Sequence, residues 1–165
     1  MKNYLFYVGI DISKLKLDVV ILQKDTSLVS NHFIVENNVK RIKLILKNLI
    51  KQKIDLTTVL FCCENTGVYT SVLSSCLSEN NLDYWVVPAI EIKRSKGISR
   101  GKNDKSDAKD IALYSIRNID KLKLSTLPEM VIQQLKLLNT EREKVMKSYK
   151  LFEATKENID FMPKE

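Results

Sequence analysis

Four glycines and three prolines in 165 residues leave little material for irregular chain. That scarcity excludes a low-complexity or disordered protein and any nucleotide site built on glycine-rich loops. Three cysteines, with Cys62 and Cys63 adjacent, offer neither a disulfide framework nor the spaced pairs of a zinc site. With a single histidine, His32, a histidine-based metal or nucleophile constellation has almost nothing to draw on. No uninterrupted apolar run reaches the roughly eighteen residues of a membrane span. The opening "MKNYLFYVGIDISK" is charged too early for a signal peptide. A reduced, cytoplasmic protein with no membrane partner is expected.

What is present is a regular, core-forming chain, 44% apolar, with a formal charge of +7 and a pI near 9.2. That surplus points to a polyanionic partner, nucleic acid first. The first half reads as strands. "YLFYVGID" is nearly continuous in apolar residues, as in a central strand covered on both faces. "KLDVVILQ" and "SLVSNHFIVE" follow closely enough for an antiparallel meander. Apolar residues at 39, 42, 45, 46, 49 and 50 have helical spacing, with Asn37 or Asn38 as the cap. "TTVLFCCE", "GVYTSVLSSCLSEN" and "LDYWVVP" then read as strand, helix and strand, a parallel crossover appended to the meander. A short helix near residue 89, a basic loop from Gly97 to Gly101 and a helix over 104–118 complete a domain spanning 1–126. From 127 to 165 the spacing of Val131, Leu135, Leu138, Arg142, Val145, Tyr149, Phe152, Lys156 and Ile159 is that of a coiled-coil seam. The competing reading is one amphipathic helix folded back on the domain.

Acids stand at three junctions. Asp11 closes the first strand in "VGIDISK", Glu64 closes the fourth in "FCCENTG", and Asp104 and Asp107 open the late helix three residues apart. If the first strand is central and the fourth is its parallel neighbour, Asp11 and Glu64 stand side by side, while Asp104 and Asp107 share one helix face. Four converging carboxylates do not all stay ionised without a cation. Hard oxygen ligands suit Mg²⁺ or Mn²⁺, and two such ions about 3.5–4 Å apart clamp the attacking and leaving oxygens of a phosphodiester. Each acid also has an ordinary explanation: a turn at Asp11, helix capping at Glu64, and an N-cap with a first-turn acid at Asp104 and Asp107. The cationic cluster of Lys93, Arg94, Lys96, Arg100, Lys102, Lys105 and Lys109 beside the last pair, with Lys14 after the first strand, weighs against four unrelated caps and suits phosphate contact. Cys62 and Cys63 read as buried strand residues on opposite faces, Tyr84 and Trp85 as core, and His32, alternating with Phe33, as a surface residue.

"GIDISKLKLDV", "CENTGVY" and "VVPAIEIKRSKG…KNDKSDAKDIA" resemble, in order and spacing, the DEDD transposases of the insertion-sequence 110 family, relatives of the Piv pilin-gene invertase. The resemblance covers residues 5 to 118, and the tail is similar to that family's coiled coil. It implies a ribonuclease-H-like fold of the RuvC type, α/β with a mixed five-stranded sheet. It also implies the catalytic and metal-binding acids Asp11, Glu64, Asp104 and Asp107, and Mg²⁺-dependent DNA recombination directed by a bridge RNA in a bacterium or archaeon. Asn103 stands where the family usually has Thr. The family continues into a second domain with a serine nucleophile, whose context none of Ser13, Ser95, Ser99 and Ser106 matches. The expectation is therefore half of a composite site, without strand exchange alone, and a homodimer or higher oligomer through the C-terminal helix. Two other readings compete. "GIDISKLKLDVVIL" also resembles the first phosphate-loop hairpin of actin-like sugar kinases, but glycines only at 9, 67, 97 and 101 supply neither their second phosphate motif nor their adenosine site. A non-catalytic basic dimerisation module that binds RNA or DNA needs no metal-dependent activity at all.

Overall fold

The computed structural model describes residues 2–24, 29–96 and 104–160; within these, the side chains of residues 29, 30, 96, 104–106 and 157–160 are not described. The chain divides into two compact units, Met1–Leu127 and Pro128–Glu165.

The first unit is built on a five-stranded sheet. Its strands are β1 (Phe6–Ile12), β2 (Lys16–Gln23), β3 (Val29–Glu36), β4 (Val59–Glu64) and β5 (Tyr84–Val87), ordered β3-β2-β1-β4-β5. β1 pairs antiparallel with β2 and parallel with β4; β2–β3 is antiparallel and β4–β5 parallel. The expected mixed sheet is therefore present, with β1 at its centre. The β1–β2 hairpin is closed by Ser13, whose N–H and hydroxyl both donate to the Lys16 carbonyl at 2.9 and 3.0 Å.

The helices are α1 (Val39–Lys51), α2 (Val68–Glu79), α3 (Ala89–Lys96) and α4 (Asp104–Arg117). α1 starts at Asn38, whose side chain accepts the Arg41 N–H at 2.9 Å. Neighbouring Asn37 instead donates to the carbonyls of Ser13 and Tyr69, tying the hairpin to α2. α1 buries Ile42, Ile45, Leu46 and Leu49, and α2 buries Leu73, Cys76 and Leu77, against Val8, Ile10, Val19, Ile21, Phe61 and Cys63 on one face of the sheet. At about 1.5–3 kcal/mol per large apolar side chain removed from water, that layer is the main stabilising mass of the unit. The opposite face, Tyr7, Leu60, Cys62, Trp85 and Val87, receives Ile92 of α3 and Ile111 and Tyr114 of α4, while Ala108 and Ala112 lie against Val20 and Leu22. After a 3-10 turn at Ile119–Lys121 the chain runs past the free edge of β5. There Ser125 donates its N–H to the Tyr84 carbonyl at 2.8 Å and accepts the Val86 N–H on its hydroxyl at 2.9 Å. An edge strand whose polar groups are met in this way is a poor template for unwanted pairing.

Among the described residues, the second unit holds one helix, α5 (Met130–Asp160). Val131, Leu135, Leu138, Val145, Tyr149 and Phe152, all members of the expected seam, are exposed along it. Among the described residues no helix is long and apolar enough to cross a membrane.

Candidate active site

The parallel β1–β4 register runs as far as Ile10 opposite Cys63. Asp11 and Glu64 are the next residues on their strands. Side chains alternate along a strand, and Ile10 and Cys63 face α1 and α2, so Asp11 and Glu64 belong to the face that carries α4. Both are half-buried. Glu64 does not cap α2: that helix begins at Gly67, at φ 68° and without a side-chain cap. The preceding turn is closed by others, Thr66 N–H donating to the Thr70 hydroxyl and Gly67 N–H to the Asn65 side-chain oxygen.

Gly9 explains how α4 reaches this place. A Cβ there would lie 2.1 Å from the Ala108 carbonyl oxygen, 2.5 Å from the Ala112 nitrogen and 2.8 Å from the Ala112 Cβ. Glycine on β1 and alanines on α4 let helix backbone rest on strand backbone. Asp107, half-buried, immediately precedes Ala108 in the turn seated on Gly9, and Asp11 lies two residues beyond Gly9 on the same strand face. The side chain of Asp104, one turn earlier in α4, is outside the described residues.

A fifth carboxylate, which sequence reasoning passed over, occupies the same face. Asp18 of β2 pairs with Asp11 across the β1–β2 ladder and is 2% exposed. Directly opposed residues hold their Cβ atoms about 4.5–5.5 Å apart. Carboxylates on opposed residues repel one another when both are ionised. Two basic side chains approach Asp18: the Lys16 ammonium lies 3.2 Å from Oδ2, and His32 Nε2 on β3 lies 3.5 Å from Oδ1. His32 is thus not the free surface residue its alternation with Phe33 suggested. An acid inside the largely apolar run "KLDVVILQ" was the available signal, since a buried charge in a strand needs a reason.

The cationic residues fall into two groups. Lys14 at the tip of the hairpin, Lys93 and Arg94 on α3, and Lys109 on α4 are exposed. The side chains of Lys96 and Lys105, and residues Arg100 and Lys102 with the Gly97–Gly101 loop, lie outside the described residues. Glu91, the acid within the cluster, accepts a hydrogen bond from the Tyr114 hydroxyl at 2.7 Å and so joins α3 to α4. Its carboxylate, with burial the larger influence, pushes the Tyr114 phenol up to about 12. Cys62 and Cys63 face opposite cores. Burial holds the Cys62 thiol well above its usual range and raises Cys63 to about 12, so neither serves as a nucleophile near neutral pH.

As placed, no three His, Cys, Asp or Glu side chains among the described residues are grouped closely enough to hold a metal ion. The donor chemistry of Asp11, Glu64 and Asp107, all hard carboxylate oxygens on one face, nevertheless suits a hard divalent cation such as Mg²⁺ or Mn²⁺.

A central strand ending in an acid, a parallel neighbour ending in a second, and a helix bringing a third over the same sheet end define a ribonuclease-H-like fold of the RuvC type. Solved structures agree. The RuvC of T. thermophilus in complex with a Holliday junction substrate superposes with a TM-score of 0.56 at 11% identity, covering 75% of this chain and 100% of that one. A second Thermus thermophilus RuvC structure gives 0.53 at 12% identity, covering 74% and 99%. A 3′-exonuclease solved with a histone mRNA stem-loop gives 0.51 at 11%, covering 78% and 93%. No curated protein matches the sequence. The family model of the DEDD transposases of the insertion-sequence 110 type, described as "Transposase", matches residues 8–157, and the chain belongs to that family.

Proposed function

We propose that this face of the sheet cleaves DNA strands during transposition, with Asp11, Glu64, Asp104 and Asp107 holding Mg²⁺ or Mn²⁺. The observation that supports the reading is the β1–β4 register, which ends at Ile10 opposite Cys63 and leaves Asp11 and Glu64 as the next residue on each strand, at the end of the face where α4 rests on Gly9. A divalent cation bound there supplies charge neutralisation and Lewis acidity toward a phosphodiester. The protein's own part is positional. The strand ends fix two carboxylates through the sheet ladder, α4 brings the second pair, and Lys14, Lys93, Arg94 and Lys109, with Lys96, Arg100, Lys102 and Lys105, meet the phosphates around the centre. Guidance by a bridge RNA is part of the same proposal, and the cationic surface suits either polyanion. The exposed apolar ridge of α5 favours a homodimer joined through that helix, since soluble chains rarely leave such a ridge in water.

Calorimetric titration of Mn²⁺ into the full chain and into Asp11→Asn tests the centre. Wild type is expected to bind and the variant to bind far more weakly. Equal affinity in both sinks the assignment. A non-catalytic module is favoured instead if nucleic acid binds normally but no divalent ion does.

A further inference from the structure

Resting on that reading, we propose that Asp18 is a positioning residue of the centre, anchoring the Lys16 ammonium and adding negative potential beside Asp11. The first observation is register: Asp18 lies directly across from Asp11. Lys16, Asp18, Val20 and Leu22 alternate onto one face of β2, and Val20 and Leu22 identify it by packing with Ala108 and Ala112 of α4. The second is burial without satisfaction. Asp18 is 2% exposed, yet its Oδ1 forms no hydrogen bond, and the facing His32 Nε2 is equally unsatisfied. A buried carboxylate oxygen without a hydrogen bond is destabilising, and a β-branched residue would suit this strand position better. Strand and packing preference alone therefore do not account for an acid here, which faces Lys16 and His32.

Electrostatics does. A carboxylate withdrawn from water and opposed to Asp11 increases the attraction of the site for a cation. Left alone it would also repel Asp11. Lys16 offsets that repulsion at 3.2 Å from Asp18 Oδ2, on a backbone pinned by its paired bonds to Ser13. Its side chain is 42% exposed, so the ammonium has room to withdraw. Lys16 thus acts as a resident counter-charge that a divalent ion must outcompete, and Asp18 governs where that ammonium sits.

Mn²⁺ affinity, measured by calorimetry and by the electron paramagnetic resonance of the free ion, separates this from a structural role. Asp18→Asn is expected to bind Mn²⁺ about tenfold more weakly, the usual effect of an outer-shell partner. Lys16→Met, at a partly exposed position that tolerates change, is expected to bind it a few-fold more tightly. A structural role would lower both melting temperatures and leave the affinities alone. Unchanged affinity in Asp18→Asn overturns the proposal, and so does unchanged or weaker binding in Lys16→Met, which decides the matter even if Asp18→Asn fails to fold. Wild-type binding lost in Asp11→Asn but kept in Asp18→Asn removes this inference and leaves the centre standing. No binding by wild type removes both.

Discussion

Replacing Gly9 by Ala would add one methyl group at the point where α4 rests on β1. The new Cβ would sit 2.1 Å from the Ala108 carbonyl oxygen and 2.5 Å from the Ala112 nitrogen, whereas ordinary contacts begin at 3.4 Å. Both neighbours are backbone, so no side chain can rotate away. Relief requires α4 to retreat by roughly 1.3 Å, in an interior that is close-packed and yields little. The retreat loosens Ala108, Ile111 and Ala112, all buried, leaving gaps too thin for water that forfeit dispersion attraction. A cost of about 3 kcal/mol, the upper part of the overpacking range, is expected. At about 2.1 cal/mol/K per residue of unfolding entropy over the Met1–Leu127 unit, the melting temperature should fall by about 11 °C. Differential scanning calorimetry of the full chain measures it. Gly9→Ala with Ala112→Gly should melt lower still, because the backbone overlap persists and a helix-interior glycine costs about 1 kcal/mol more. A single variant within about 2 °C of wild type, or a double variant restored to it, would refute the placement of backbone on backbone here.

Further expectations concern the surface, the tail and the core. Changing Lys93, Arg94 and Lys109 to Ala should lessen the salt dependence of duplex DNA binding by about 0.9 in logarithmic slope for each phosphate no longer neutralised; an unaltered slope would move the binding face elsewhere. Sedimentation should show a dimer for the full chain and a monomer for a version ending at Thr126, and a dimer that survives truncation would exclude pairing through α5. Cys62, Cys63 and Cys76, all buried, should resist a thiol reagent in the native protein and react in guanidinium; rapid labelling of the native protein would contradict the packing of both sheet faces.

Much of this molecule is legible in local pattern. The apolar run around Val8 and Ile10 announces a strand covered on both sides, the period of Ile42, Ile45, Leu46 and Leu49 announces α1, and strand parity alone separates Cys62 from Cys63. Asp11, Glu64 and Asp107 were visible because each interrupts or terminates such a pattern. Their convergence was conditional on β1 pairing in parallel with β4, a contact between segments some fifty residues apart that pattern suggests and only the sheet decides. Local pattern was silent where the cause is another segment's arrival. Gly9 reads as an ordinary weak point of a strand until α4, about a hundred residues later, is found lying on it. Asp18 went unremarked because alternation tells which residues share a face but not which face a helix will cover. The choice between Asn37 and Asn38 as cap, and the use of Ser125 against β5, depend likewise on where distant carbonyls and amides come to rest. Periodicity is written into φ, ψ and side-chain direction residue by residue. Pairing and docking are decided by which distant surfaces exclude water together, and that is a property of the whole fold.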